Sequence, residues 1–196
     1  MGNFEVSKDI TAKGALLSKV ANLPTEIQSA LNNGSLKIVD SVIYAQKALK
    51  GGSVVELMEN SDTAVAGITN LNNRKLEQVN YMVVTGVRLL SASGVGAGNE
   101  PTDAEIAAAD MTIASKEVLN GELEIQVAGK VAFPRNSCRC FAAEHDKMGE
   151  GYFALESPFV IAPQSEIVPT LRVNSSFDSK KEVVRVELIG ARIINA

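Results

Sequence analysis

Hydrophobic residues in the first 34 positions recur at intervals of three and four, which is the spacing of one face of a helix. The stripe consists of Leu16, Leu17, Val20, Leu23, Ile27 and Leu31. Pro24 suits the first turn of a helix, and Asn32-Asn33-Gly34 suits its end. Residues 1–34 are therefore predicted to form an arm of short helices. Such helices are unstable alone in water, so the stripe must pack against the chain's own body or another subunit.

From Leu36 onward the hydrophobic period shortens to two, the period of a strand with one buried face. Strands are predicted over residues 36–42, 54–57, 79–90, 123–131, 153–155, 159–161, 168–173 and 182–194. The alternation is most regular over 123–131, where the odd-numbered residues are expected to face a core. Pro169 restricts its strand to an edge or a bulge, and Gly190 is expected to bend the last strand.

Many short strands without a regular strand–helix alternation favour an antiparallel β-sandwich over a parallel α/β sheet. The connection 91–120 is longer than a hairpin loop, which favours a Greek-key or jelly-roll topology over a meander. Within it, Thr102 and Glu105 have the spacing of a capping box, which predicts a helix reaching about Val118. The chain is thus predicted to be mainly β, with a helical arm (1–34) and a jelly-roll-like β-sandwich domain (35–196).

The last predicted strand carries apolar side chains on both faces. One face presents Val183, Ile189, Ala191 and Ile193, and the other presents Val184, Val186, Leu188 and Ile194. One of these faces can fill the sandwich. The other must be covered by the N-terminal helices or by a neighbouring subunit, because it would otherwise form an exposed patch that favours aggregation.

The composition narrows the functional classes. The 196 residues are 45% hydrophobic and 21% charged, which indicates a globular chain long enough to bury a core. The net charge of −4 makes binding to a phosphate backbone an unexpected main function. No apolar run approaches the roughly 18 residues of a membrane span. The N-terminus lacks the features of a secretory signal, so the two cysteines are expected to be reduced thiols in a protein made in a cytoplasm.

A glycine-rich sequence, Gly94-Val-Gly96-Ala-Gly98, follows one predicted strand and precedes the predicted helix. This is the arrangement of a phosphate-binding turn. However, a dinucleotide fingerprint needs a glycine where Asn99 stands, and no Gly-Lys-Ser/Thr sequence follows for a P-loop. We interpret the segment as a loop between strands of the sandwich.

Cys138, Cys140 and His145, the single histidine, are the residues whose chemistry best suits a metal ion. Two thiols two residues apart would project from one face of a strand, and His145 could complete a three-ligand zinc site. A second ligand pair is absent, however, and cysteines often act as small buried hydrophobic residues. His145 lies in a charged segment and no Gly-x-Ser-x-Gly sequence surrounds a serine, so nucleophilic catalysis is not expected. The sequence therefore assigns no catalytic, cofactor or metal residue.

Glu122 and Glu124 share one strand face, where paired carboxylates could serve a glycosidase or a calcium site. We interpret them instead as part of a solvated face that also carries Lys130. Lys180-Lys181 does not form a basic stripe. With no tryptophan and three tyrosines, the chain is poorly supplied with surfaces on which sugars or single-stranded nucleic acids could stack.

Four segments resemble jelly-roll structural proteins of bacteriophage virions in strand order and turn placement. They are residues 119–131, 153–163, 167–173 and 184–193, and the resemblance covers residues 75–196. It implies a capsid, penton or decoration subunit without an active site or cofactor. Such a subunit is made in the host cytoplasm and then assembles with further copies and other virion proteins.

Two other classes remain open on the sequence. A lectin-like or adhesin-like β-sandwich would bind carbohydrate or a receptor. An enzyme on a cupin-like scaffold would need a metal, and a cupin site normally draws on several histidines, of which this chain has one.

Overall fold

The computed structural model describes residues 14–15, 18, 23–49, 54–78, 80–96, 100–142, 148–174 and 182–196. Within these ranges the strands are β1 (Leu36–Ala48), β2 (Val54–Glu56), β3 (Met82–Ser93), β4 (Thr112–Ile113), β5 (Glu122–Val127), β6 (Lys130–Ser137), β7 (Tyr152–Ile161), β8 (Ile167–Arg172) and β9 (Glu182–Asn195). The helices are α1 (Thr25–Asn32), α2 (Asp103–Ala107), α3 (Lys116–Leu119) and a 3₁₀-helix (Cys138–Phe141).

The strands form two antiparallel sheets. In the first sheet the order is β1-β9-β3, with β7 and the short β4 both pairing with β3. In the second sheet the order is β2-β8-β5-β6. The pairs are nested along the chain: β1 with β9, β2 with β8, β3 with β7, and β5 with β6. This nesting is what results when one long hairpin is rolled into two sheets, so the predicted jelly-roll-like sandwich is confirmed.

Side chains from both sheets fill the space between them. Leu123 and Leu171 of the second sheet pack in one buried cluster with Val186 of the first. Three phenylalanines, Phe133, Phe141 and Phe153, meet in this cluster with ring centres 6.0–6.4 Å apart. Aromatic groups in such tilted and edge-to-face arrangements stabilise a core beyond the area they bury.

Helix α1 packs on the outer face of the first sheet. Pro24 precedes its first residue, and Gly34 follows its last turn with φ of 79°, as the sequence predicts. Its buried residue Ile27 shares a cluster with Ala191 and Ile193 of β9. The described part of the arm therefore docks on the chain's own body.

The other end of the same outer face is covered by α2. Ile106 of this helix packs with Ala48 of β1 and Val183 of β9. Together, α1 and α2 cover the second apolar face of β9 at both ends. The covering that the sequence requires is thus supplied within one chain.

The predicted strand 123–131 is wrong, because the segment is a hairpin. β5 ends at Val127 and β6 begins at Lys130, and the two residues between them, Ala128 and Gly129, have φ of 51° and 74°. Positive φ at both central residues is the signature of a type I′ turn, whose twist matches that of the flanking strands. Val131, which the alternation assigns to the core, consequently lies 56% exposed on the outer face.

The predicted helix from Thr102 to about Val118 is also wrong beyond its first turn. The capping box is present, since Thr102 and Glu105 hydrogen-bond each other's backbone N–H groups. However, α2 ends at Ala107, and the β-branched Thr112–Ile113 pair with β3 as β4. Ser115 then caps the separate helix α3.

Pro169 lies in an internal strand, contrary to the prediction that it marks an edge or a bulge. β8 is flanked by β5 and β2. Pro169 accepts a hydrogen bond from Leu57, the residue immediately after β2 ends. The backbone nitrogen of Pro169, which carries no hydrogen, therefore lies beside the end of β2. No hydrogen bond between β2 and β8 is lost there.

Gly190 faces an irregularity in the neighbouring strand. The register between β3 and β9 shifts between Val84 and Gly86, which places a bulge at Thr85. A Cβ at position 190 would overlap the carbonyl oxygen of Val83. The glycine is thus required by the close approach of two backbones.

Candidate functional site

The two cysteines lie in the 3₁₀-helix and not on a strand face as expected. Cys138 is fully buried in the main core, and Cys140 is partly buried against it. Burial raises the pKa of the Cys138 thiol to about 12 and that of Cys140 to about 11. Because the thiolate is the form that binds metals and attacks substrates, both groups are poorly suited to either task.

The third residue weighed as a zinc ligand and the two adjacent lysines lie outside the described residues. This applies to His145 and to Lys180-Lys181. Over the part of the chain that is described, no group of three or more histidine, cysteine, aspartate or glutamate side chains is arranged to hold a metal ion.

The glycine-rich segment is described as far as Gly96, and Gly98 is outside the described residues. Gly94 and Gly96 have φ of 73° and 83°, and a Cβ at Gly94 would meet open space. These values are typical of a loop leaving a strand.

Glu122 and Glu124 lie on the outer face of the second sheet. The carboxylate of Glu122 is 3.8 Å from Arg135, and both side chains are about half exposed, at 51% and 52%. Glu124 accepts a hydrogen bond of 3.0 Å from Gln126. Each carboxylate thus interacts with a polar neighbour on the same sheet, which is typical of a solvated face.

A half-buried charged network occupies the middle of the first sheet's outer face, between the helices that cover its ends. Glu187 accepts from Arg88 at 2.9 Å and from Arg185 at 2.7 Å. The guanidinium carbon of Arg185 lies 4.0 Å from the ring centre of Tyr44, and the same group donates to Gln46 at 3.2 Å. Gln46 in turn donates to a backbone carbonyl of α2. These charges satisfy one another, so the network fixes α2 on the sheet.

Asn70 closes the open edge of the first sheet. Its side-chain oxygen accepts from the Tyr44 N–H at 3.0 Å, and its side-chain nitrogen donates to the Val42 carbonyl at 2.7 Å. The amide thus takes the place of a neighbouring strand beside β1. Pro134 in the edge strand β6 and Pro158 in β7 lack the N–H that edge pairing would use. Edges treated in this way resist pairing with other chains.

A surface cavity of about 270 Å³ opens where the β2–β3 connection meets the β7–β8 loop and the last strand. It is lined by Asn70, Leu71, Asn72, Asn73, Lys75, Leu76, Glu77, Gln164 and Arg192. Most of these side chains are amides or charged groups, and polar groups that converge on a concave site are the usual mark of ligand recognition.

Arg192 is the cationic group of this cavity that has no partner. Its backbone pairs with β1 and β3, but its side chain makes no hydrogen bond or ion pair to a described residue, and its Nε atom is buried. By contrast, Lys75 pairs with Glu166 at 3.3 Å. Hydrogen bonding from Lys75, assisted by the charge of Arg74, lowers the pKa of Glu166 below its ordinary value. The Nε atoms of Arg74 and Arg88 are also buried without an acceptor among the described residues, so what distinguishes Arg192 within this cavity is that none of its guanidinium nitrogens has a described partner.

Strained backbone surrounds the same cavity. Among the described residues, four that are not glycine have positive φ, and three of them are here: Asn73 at 51°, Arg74 at 50° and Gln164 at 59°. Asparagine tolerates this conformation, whereas arginine and glutamine rarely adopt it. Strain of this kind persists only where surrounding contacts impose it, and it concentrates at functional sites.

Two sets of contacts impose this conformation. The backbone and side-chain nitrogens of Gln164 both donate to the Leu76 carbonyl, at 3.1 and 2.8 Å. Arg74 bridges Glu56 at 3.0 Å and Glu166 at 3.3 Å. The cavity wall is thus held in shape by contacts with β2 and with the β7–β8 loop.

Sequence reasoning missed this site because its residues come from three distant segments. The one local signal is the asparagine-rich run Asn70-Leu71-Asn72-Asn73. Nothing in the alternation of β9 distinguishes Arg192 from a solvated arginine, since its exposure depends on the loops that fold over the sandwich end.

No protein-family model and no curated protein sequence matches the chain. Over the described ranges, none of the helices combines the length and apolar character needed to cross a bilayer.

Proposed function

We propose that this chain is a non-enzymatic structural subunit of a virus particle, of the capsid, penton or decoration type found in bacteriophages. It would be made in the host cytoplasm and act by packing against further copies and other virion proteins. The nested pairing of the strands carries the proposal, because double-sheet jelly rolls are recurrent domains of viral capsids. Lectins and cupins share this architecture, and the interior and surface of this sandwich favour the structural role.

The interior favours a structural role over a cupin-like enzyme. A cupin holds its metal between the sheets, whereas this chain packs Phe133, Phe141 and Phe153 against one another in its core. The residues around these rings are aliphatic and fully buried, as Leu123 and Ile125 illustrate. Side chains that fill the space between the sheets stabilise the subunit and leave no room there for a substrate.

The surface indicates how copies would meet. The two helices cover the ends of the first sheet's outer face, paired charges occupy its middle, and Asn70 closes its edge. Among the described residues, we therefore take the outer face of the second sheet as the surface for contacts between copies. This face presents the exposed Val54 and Val131 among charged residues such as Glu122 and Arg135. Interfaces of mixed polarity are typical of subunits that fold alone and assemble afterwards.

Light scattering after size-exclusion chromatography tests the proposal. We expect association as the protein concentration rises, and negative-stain images should show rings or shell fragments. Val131→Asp should weaken association, because it places a charge on one of the exposed apolar residues of this face. Val65→Asp is the matched control, since Val65 is also exposed, at 45%, but lies in the β2–β3 connection. A chain that stays monomeric at every concentration, and is absent from purified particles, would contradict the proposal.

A carbohydrate- or receptor-binding module is the second candidate. The cavity beside Arg192 is the specific observation that favours it. Saturable binding on a glycan array, by a protein that does not associate with itself, would favour this reading over the structural one.

A further inference from the structure

We infer that the cavity at the end of the sandwich binds a carboxylated sugar, of the uronic or sialic acid class, through Arg192. This inference does not depend on the virion role, because it concerns a pocket within a single chain.

The first step concerns the carboxylate. The side chain of Arg192 has no partner among the described residues, and its Nε atom is out of contact with solvent. A guanidinium group offers donors in a planar fork that matches the two oxygens of a carboxylate. An anion bound in the cavity would give this guanidinium group an acceptor that the described residues do not supply.

The second step concerns the rest of the ligand. The side chain of the nearby Asn73 makes no hydrogen bond to a described residue. The side-chain oxygen of Asn72 accepts a hydrogen bond from the Ala64 N–H at 2.8 Å, which leaves the NH₂ group of Asn72 available. Gln164 uses its nitrogen and keeps its side-chain oxygen available. Glu77 adds a carboxylate acceptor at the cavity wall. Donors and acceptors side by side match hydroxyl groups, each of which can donate and accept.

The third step concerns selectivity against other anions. Sulfate presents only acceptor oxygens, so it could not satisfy the side-chain oxygen of Gln164, whereas a sugar hydroxyl could donate to it. The volume of about 270 Å³ is at the small end of ligand pockets, which suits a single sugar ring better than a larger cofactor. A ring that carries one carboxylate and several hydroxyls fits both the charge and the size of the cavity.

The last step concerns preorganisation. The hydrogen bonds of Gln164 to the Leu76 carbonyl and of Ala64 to the Asn72 side-chain oxygen hold these two lining side chains in place before any ligand arrives. A wall that is already ordered loses little conformational freedom on binding, which raises affinity.

Isothermal titration calorimetry of the full chain with D-glucuronate, D-glucose and acetate tests the inference. We expect glucuronate to bind. Glucose and acetate should bind at least about tenfold more weakly, because glucose lacks the carboxylate and acetate lacks the hydroxyl groups. Equal affinity for acetate would overturn the sugar assignment, and equal affinity for glucose would overturn the role of the carboxylate. A failure of glucuronate to bind at millimolar concentrations would overturn the inference as a whole, provided that N-acetylneuraminate fails as well.

Variants locate the site. Arg192→Gln should weaken glucuronate binding by about tenfold or more, and Arg192→Lys should weaken it less. Arg172→Gln is the matched control, because the side chain of Arg172 also makes no hydrogen bond to a described residue but lies on the second sheet, away from the cavity. If Arg172→Gln lowered affinity as much as Arg192→Gln, the assigned position would be wrong.

A further variant keeps the test decisive if Arg192→Gln does not fold. Asn73→Gly removes one lining amide and suits the positive φ of that position, so the protein should remain folded. We expect binding about threefold to tenfold weaker, the loss typical of one neutral hydrogen bond. Unchanged affinity in a folded Asn73→Gly variant would contradict the role of this wall.

Discussion

The phenol ring of Tyr152 in β7 lies over Gly86 in the neighbouring strand β3, so closely that a Cβ at position 86 would overlap it. In the register of these strands, Gly86 pairs with Ala154 and Tyr152 with Arg88, so the ring reaches diagonally across the pair. Burial raises the pKa of the Tyr152 hydroxyl above its ordinary value. The glycine therefore provides space for the ring, and the ring shields the glycine backbone from water.

This relationship predicts a strong coupling between two substitutions. Gly86→Ala should destabilise the protein by about 2 kcal/mol, because the new methyl group must displace the ring. Tyr152→Ala should cost a similar amount through lost packing, about 2 kcal/mol. In the double variant the clash is absent, so the combined loss in urea denaturation should be smaller than the sum by about 1 kcal/mol. Additive losses would show that the ring is not what excludes a side chain at Gly86.

Gly190→Ala should be more damaging than Gly86→Ala. Its Cβ would overlap a backbone carbonyl, that of Val83, which cannot rotate away as a side chain can. We expect a loss of more than about 3 kcal/mol in the free energy of unfolding, or an insoluble product. Gly129→Ala is the comparison, since it adds a methyl group in open space at positive φ and should cost about 1 kcal/mol. Similar losses at both positions would contradict the role of the close backbone approach.

The β5–β6 turn offers a stabilising substitution. Ala128 is exposed and has φ of 51°, a conformation that costs alanine about 1 kcal/mol. Ala128→Asn would create an Asn-Gly pair, the combination most favoured in type I′ turns. The midpoint of thermal unfolding should rise, with a gain of about 0.5–1 kcal/mol. A fall in this midpoint would argue against a type I′ turn at these residues.

The buried thiol predicts a loss of stability at alkaline pH. The pKa of Cys138 is raised from its ordinary value of 9.0 to about 12, so an unfolded chain releases this proton at lower pH than the folded one does. The contribution of the buried Cys138 thiol to the free energy of unfolding is fully present below pH 9. It is lost at about 1.4 kcal/mol per pH unit as the pH rises towards 12.

Denaturation measured between pH 8 and about 11 checks this prediction, with Cys138→Ala as the test variant. The variant should lose less stability over this range than the natural chain, even if it is less stable at neutral pH. Cys140→Ala should also reduce the alkaline loss over this range, because burial raises the pKa of Cys140 from 9.0 to about 11. Equal pH dependence in the natural chain and Cys138→Ala would contradict a buried neutral thiol.

The sequence predicts the elements whose signals are local. The period-two alternation identifies both faces of β9, and Pro24 and Gly34 mark the limits of α1. The capping box at Thr102 and Glu105 correctly marks where α2 begins. In each of these elements, residues close together in the chain determine the preference for strand or helix, so the folded protein adopts the predicted secondary structure.

The errors arise where distant contacts decide. Alternation continues through Ala128-Gly129 because a two-residue turn does not interrupt it, and only the partner strands reveal that Val131 is exposed. Pro169 is tolerated inside a sheet because β2 happens to end beside it. The Arg192 cavity depends on three segments meeting in space, which no spacing along the chain records.

The position of β9 has a consequence for synthesis of the protein. This strand lies between β1 and β3, although it leaves the ribosome after every other strand described. Until it emerges, the inner edges of β1 and β3 have no partner and the first sheet cannot close. The nascent chain therefore exposes the unpaired backbone edges of β1 and β3 until β9 has been synthesised. Chaperones would bind such a state, and slow translation of β9 would prolong it.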